Sequence, residues 1–243
     1  MEWLPAERYA AEMIAETDRL GAAVTSRPAD AIVPDCPEWT TRDLVTHVGT
    51  GHRFAAGAIE QRCDRRPDYV RIEAPGDQGE WAGWLAAGAR RLNAAVDDFG
   101  FGAELWTWRP QHQTAGFWQR RMLHDLIIHR LDGEGGEAGA ASADLAPEVA
   151  ADGIADLLLT FEMFPQLTGA GETLRLSATD TGDSWQVTLT PDGLRWQPGG
   201  EKADVTVAAP VAELLLILNR RRAATDVEGD TALFERFREG ARF

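Results

Sequence analysis

Apolar and polar positions follow two different periods along this chain, and the change falls a little past its middle. Through the first 140 residues apolar side chains recur every three or four positions, as in amphipathic helices. Tyr9, Met13, Ile14, Thr17, Leu20 and Val24 outline a first helix. A proline-containing stretch, PADAIVPDCPEW, reads as a loop. Behind it Thr40 and Asp43 stand three apart as a capping box, and Leu44, His47, Val48, Gly51, Ala55 and Ala58 share one side of a second helix. Trp81, Leu85, Gly88, Leu92, Ala95 and Phe99 form the face of a third. Gly88 costs that helix about 1 kcal/mol relative to alanine but lets a neighbour approach closely. The fourth helix runs from about Ala115 to Asp132. Four helices of roughly 20 residues joined by loops predict a four-helix bundle.

The small-residue stretch GEGGEAGAASAD, residues 133 to 144, reads as a linker. After one more helix, PEVAADGIADLLLTFEMF, the period drops to two. TLRLSATD, SWQVTLTP, GLRWQ and ADVTVAA alternate apolar with polar residues between turn-forming segments, which predicts short antiparallel strands. VAELLLILNRR and DTALFERFREG close the chain as helices. The expected fold class is α+β: a bundle over residues 1–140, then a smaller α+β domain with an antiparallel sheet over 145–243.

Charge and composition narrow the partners. The 243 residues carry a formal net charge of −15, which opposes non-specific binding to nucleic acid or anionic membranes. The two cysteines, Cys36 and Cys63, form no CxxC motif and fit a reduced cytosolic protein better than a disulfide scaffold. The N-terminal segment is amphipathic and acidic, unlike a signal peptide, and no apolar run approaches the ~18 residues of a membrane span. A cytoplasmic protein, monomeric or a small homo-oligomer, is expected. Walker, GxGxxG, GxSxG and zinc-ribbon patterns are absent from the sequence.

The chemistry concentrates in RRMLHDLIIHRLD, residues 120 to 132. Asp125 and His129 lie one helical turn and about 40° apart, in the same arc as Trp118, Met122 and Leu126, so both are expected to face the bundle interior. An unpaired carboxylate there loses several kcal/mol of solvation unless a base, a hydrogen-bond network or a metal ion compensates. An acid and an imidazole at i and i+4 can grip one ion together, with His47 on the inward stripe of helix two as third ligand. Two imidazoles and a carboxylate leave the fourth position of a zinc ion open; iron, manganese or nickel suit the same set. Spacing alone leaves a hydrogen-bonded pair and a metal site equally admissible. His52 is expected at the flank, His124 outside the arc and His112 in a loop. Cys36 and Trp39 are expected to brace the loop before helix two. Arg53, Arg120, Arg121 and Arg130 read as surface ion pairs, with Arg130 placed to contact an anionic ligand or cofactor.

Two segments carry a resemblance. DCPEWTTRDLVTHVGTGHRFAAG, followed by FWQRRMLHDLIIHRLDGE, resembles the mycothiol-dependent maleylpyruvate isomerase family of actinobacteria, whose N-terminal half is a DinB-like four-helix bundle. PVAELLLILNRRRAATDVEGDTALFERF resembles the end of that family's C-terminal domain, an α+β module of sterol-carrier-like character. The resemblance implies a divalent metal, usually zinc, held by His47, Asp125 and His129, and mycothiol bound as a thiolate at the open position. Asp125 departs from the family pattern, which has glutamate; the shorter acid draws the ion towards helix four or lowers its affinity. An arginine from the C-terminal domain is implied near thiol or substrate, with Arg221 or Arg222 the match, although arginines at a helix end also suit its negative pole.

The expected function is therefore a metal-dependent, mycothiol-using isomerase or S-transferase acting on a small electrophile. Seven of the nine tryptophans lie outside the strand region, so an aromatic-lined pocket at the domain boundary and an aromatic or polyene substrate are expected. The alternative is a non-catalytic small-molecule-binding or carrier protein whose metal site is weakened or lost. A regulatory protein on a similar bundle fits the strand-rich second half less well.

Overall fold

A computed structural model describes residues 2–135 and 144–242. The chain divides into two compact units at about residue 141. Most of the 133–144 linker segment lies outside the described residues.

In the first unit the four helices are α1 (Ala6–Thr25), α2 (Thr41–Glu60), α3 (Trp81–Phe99) and α4 (Ala115–Gly133). Their boundaries follow local chemistry. The Thr40 side chain accepts from the Asp43 amide while the Asp43 carboxylate accepts from the Thr40 amide, closing the capping box that starts α2. Thr114 caps α4. Gly100, at φ +90°, ends α3 in a conformation that a side chain would strain. α1 packs on α3 and α4, and α2 packs on the same two. Each helix thus has two main neighbours, and α2 lies beside α4. The apolar stripes meet in a core that includes Tyr9, Met13, Leu20, Leu44, Val48, Leu85, Leu92, Phe117, Leu123 and Ile127.

Between α1 and α2 the chain forms a two-stranded ribbon, β1 (Ile32–Val33) and β2 (Cys36–Thr40), where a loop was expected. Pro34 stands between the two strands and Pro37 inside β2, so the strand signal is too short and too interrupted to register as alternation. This ribbon carries Cys36 and Trp39. Residues 69–75 lie against α2, held where Thr50 and Thr46 hydroxyls bond the backbone of Ile72 and Ala74.

Close packing leaves little slack between α2 and α3. A Cβ on Gly49 would fall within the Trp84 ring. Gly49→Ala gains about 1 kcal/mol of helix propensity, but overpacking against a rigid indole costs about 1–3 kcal/mol. A net loss of roughly 1 kcal/mol is expected, read as a lower denaturant midpoint with an unchanged slope.

The second unit contains α5 (Pro147–Phe161), the strands β3 (Glu172–Ala178), β4 (Ser184–Thr190), β5 (Gly193–Pro198) and β6 (Val205–Ala209), then α6 (Val211–Leu218), β7 (Val227–Gly229) and α7 (Thr231–Gly240). The sheet order is β5-β4-β3-β6-β7. Its buried face presents Leu174, Leu176, Trp185, Val187, Leu189, Val205 and Val207, with α6 packed on β3 and β6 and α7 on β6. The sheet is mixed, where antiparallel pairing was expected: β6 runs parallel to β3. The chain leaving β5 crosses the other face, where Gln186 and Arg175 bond the carbonyls of Lys202 and Glu201. It therefore enters β6 in the direction of β3. Among the described residues no helix is long and apolar enough to cross a membrane.

Candidate metal centre

Because α2 lies beside α4, side chains one turn apart on α4 can meet one from α2. His47 Nε2 lies 3.1 Å from Asp125 Oδ2, and His129 Nε2 lies 3.9 Å from the same oxygen. The two imidazoles stand edge-on, 4.7 Å between ring centres. The structure thus brings together all three residues singled out from the sequence, their ligating atoms within 4.8 Å of one another. Donor atoms about 2.1 Å from a tetrahedral ion sit about 3.4 Å apart. The measured separations straddle that value, so the three fit one cation with small side-chain adjustments.

The site is more open than an interior-facing stripe implies. Side-chain exposure is 35 % for His47, 24 % for Asp125 and 11 % for His129. Partial hydration lowers the cost of placing a carboxylate on an otherwise apolar stripe. The acid is also answered by charge. Arg121 Nη2 sits 3.2 Å from Asp125 Oδ1, leaving Oδ2 to face both imidazoles. Burial pushes the Asp125 carboxyl up, but His47, His129 and Arg121 outweigh it and hold it well below the usual carboxylate range. Burial lowers His47, while the charge and hydrogen bond of Asp125 raise it further than burial lowers it, leaving it above its ordinary value.

These shifts fix a sign. A metal ligand must be a neutral imidazole, so protons and metal compete for His47. Asp125 stays ionised throughout the neutral range and adds no slope there. Metal affinity is therefore expected to rise with pH, by up to about tenfold per unit below the raised His47 value. Chelator competition between pH 6 and 8 measures this; a flat profile contradicts it. In the metal-free protein, His47 contributes stability that is present below its unfolded value of 6.5. That contribution is lost as pH rises through the raised folded value.

Around the triangle the walls are aromatic. The Trp39 ring lies 4.7 Å from that of His47 and 5.3 Å from that of His129. Along the α2–α4 seam Phe54 packs on Trp118 and on Tyr69, both at 5.5 Å, and Trp118 on Trp106 at 5.9 Å. Tyr69 is 54 % exposed, and its hydroxyl feels the charge of Asp125. Behind His129, Nδ1 donates to Asp132 Oδ2 at 2.9 Å, and the Cys36 thiol lies 3.5 Å from that oxygen. Sequence reasoning missed Asp132 and placed Trp39 and Cys36 only as braces for a loop. The i, i+3 spacing of His129 and Asp132 was the available signal for the first. Nothing local announces that β2 folds back over α4.

Other expectations need correction. His52 is not at the flank: it is 1 % exposed, burial lowers it to about 4, and neither ring nitrogen has a hydrogen-bond partner. Arg120 and Arg130 are not surface residues, at 0 % and 1 % exposure. The Arg130 guanidinium lies against Glu16 and Glu134. Arg53 bonds the carbonyls of Gly49 and Trp84 and lies over the Trp84 ring. His124 is buried edge-on to Tyr9, and His112 sits in the loop before α4, stacked on Phe117. Arg221 and Arg222 are half-buried residues of the second unit; α6 ends at Leu218, so they follow the helix rather than close it.

Comparison with known proteins agrees with this architecture. No curated protein matches the sequence. The crystal structure of the mycothiol-dependent maleylpyruvate isomerase aligns with a TM-score of 0.61 over 94 % of each chain at 15 % identity. A point mutant of that enzyme aligns at 0.59 over 88 % of each chain at 14 % identity. At such identity the likeness establishes a shared fold. Residues 162–239 match the SCP-2 sterol transfer family. Residues 10–133, just over half of the 243, match the mycothiol maleylpyruvate isomerase N-terminal domain, and the chain belongs to that family.

Proposed function

We propose that the protein is a metal-dependent enzyme that uses a low-molecular-weight thiol, mycothiol by family relationship, on a small unsaturated electrophile. The observation that carries this reading is the convergence of His47, Asp125 and His129 on one point at a partly open edge of the bundle. Zinc, or another divalent ion bound there, would supply a Lewis-acidic position that favours the thiolate form of an incoming thiol near neutral pH.

The chain's own residues would then do four things. Asp125 Oδ2 and the two imidazoles would hold the ion, with three protein ligands rather than four. Arg121, bonded to Asp125 Oδ1, keeps a positive charge beside the centre and favours anionic ligands. Trp39 packs on both imidazoles, limits their rotation and keeps water from one side. Phe54, Tyr69 and Trp118 offer flat apolar surface next to the metal position, suited to an aromatic or polyene substrate. By family relationship Arg221 or Arg222, in the second unit, would be the candidate to bind thiol or substrate.

Addition of the thiol to a conjugated double bond, rotation and loss of the thiol would give isomerisation. Retention of the thiol would give a conjugate. Zinc-loaded protein incubated with mycothiol and a panel of electrophiles, analysed by mass spectrometry, separates these outcomes. The expected result is an isomerised product or a thiol adduct that requires metal; turnover in the presence of excess chelator contradicts the proposal.

The SCP-2 match over residues 162–239 supports a second reading, a small-molecule carrier on this fold. Metal content discriminates: about one equivalent of bound metal favours the enzyme, and ligand binding by metal-free protein favours the carrier.

A further inference from the structure

The metal triangle is backed by a second layer outside its ligand set. Asp132 is fully buried in the last turn of α4. A buried carboxylate is retained only where hydrogen bonds or positive charge compensate its lost hydration. Two donors converge on its Oδ2: the Nδ1–H of His129 at 2.9 Å and the Cys36 thiol at 3.5 Å. They come from different elements. His129 is one turn back on α4, and Cys36 opens strand β2, whose Trp39 ring lies 5.3 Å from the same imidazole.

From this geometry we propose that Asp132 is a positioning residue for the metal centre: it fixes His129 in the Nδ1–H tautomer, and Cys36 holds Asp132 in place. The inference rests on the proposed metal site and adds to it a residue outside the ligand set. Its logic is one of protons. An imidazole can offer only one lone pair while neutral. With Nδ1–H donated to a carboxylate, the lone pair is confined to Nε2, the nitrogen that faces Asp125 Oδ2. The partner carboxylate also fixes the ring plane. Without Asp132 the proton is free to move to Nε2 and the ring to turn; the triangle then holds its third ligand only part of the time.

Cys36, His129 and Asp132 also lie close enough together to be a ligand set themselves. The 2.9 Å contact has the length of a charge-assisted hydrogen bond, and Asp132 is sealed from solvent. Both features favour the positioning role.

Zinc affinity of the full chain, measured by competition with a chromophoric chelator, is to be compared with nitrogen-15 spectra of the histidine rings in the metal-free protein. Asp132→Asn preserves shape and Asp132→Ala removes the group; Cys36→Ser keeps a donor. The expected result is a zinc dissociation constant about 10–100-fold higher in Asp132→Ala and raised at least several-fold in Asp132→Asn. The Nδ1–H signature of His129, present in the wild type, is expected to be lost or averaged in both, and Cys36→Ser should bind zinc within about twofold of the wild type. Because the tautomer is read without metal and Asp132→Asn is isosteric, a variant that merely loosens the fold is distinguished by a weaker affinity with the signature intact, which overturns the proposal. Wild-type affinity in both Asp132 variants also overturns it. So does a second equivalent of zinc that Cys36→Ser loses, since Cys36, His129 and Asp132 would then be ligands. A wild type that binds no zinc overturns the metal site and this inference together, whereas zinc binding indifferent to Asp132 overturns this inference alone.

Discussion

Replacing His129 by alanine is expected to weaken zinc binding by two to three orders of magnitude. Apparent binding free energies for four-ligand zinc sites are about 10–16 kcal/mol, or roughly 3–4 kcal/mol per ligand, and 1.4 kcal/mol is a factor of ten. A three-ligand site has no spare donor. The neighbours of His129 do not substitute for it: Asp132 is directed at the lost ring from behind, and Trp39 offers no ligand atom. His47→Ala should have a similar effect, because it too contributes one imidazole. Asp125→Asn should retain part of the affinity, since a carboxamide oxygen can still ligate but carries no charge. Chelator competition measures each variant, and the unfolding midpoint of the metal-free protein is the control for folding. Affinity within tenfold of the wild type in His129→Ala would exclude this residue as a ligand.

A second large effect is expected far from the metal. Arg130, 1 % exposed, donates from Nε to Oε2 of Glu16, which is fully buried, at 2.7 Å. Arg19 reaches the other Glu16 oxygen, and Glu134 meets Arg130 Nη1 at 3.0 Å. This pair joins α1 to α4 across the bundle. Glu16→Ala leaves the guanidinium buried without its main counter-charge and is expected to cost about 3–5 kcal/mol. Glu134, part exposed, remains as a partner and places the loss towards the lower figure. Replacing both residues by apolar ones of similar volume, Glu16→Leu with Arg130→Met, should recover much of the stability, because two desolvation penalties disappear together. Denaturant unfolding of the single and double variants tests this. A double variant no more stable than Glu16→Ala would mean that the pair is worth more than its desolvation.

Arg130 also shows where sequence reasoning stops. Its neighbour His129 was placed on the same helix face as Asp125 from helical spacing, because the angle between the two is a local property. The next residue points about 100° away, and whether that direction meets water or another helix depends on α1, more than a hundred residues earlier. Arg130 therefore looked like a surface cation, whereas Glu16 on α1 gives it a buried partner. His52 failed in the same manner: its angle from His47 was right, but α3 closes over that flank at Gly88. The start of α2 was legible because Thr40 and Asp43 act within a few residues of themselves. The direction of β6 was not, since alternation marks a strand without stating which neighbour it joins. Among the site residues, the three ligand candidates could be read from helical spacing and family likeness. Trp39, Asp132 and Arg121 needed the fold, because their roles depend on what lies opposite them.

The central claim is that His47, Asp125 and His129 hold one divalent ion with a position left open for sulfur. X-ray absorption spectroscopy of the zinc-loaded protein, before and after addition of mycothiol, tests it most directly. The account predicts two imidazole nitrogens and a carboxylate oxygen near 2.0–2.2 Å, then one added sulfur near 2.3 Å. A first shell without imidazole, or one unchanged by the thiol, would contradict it.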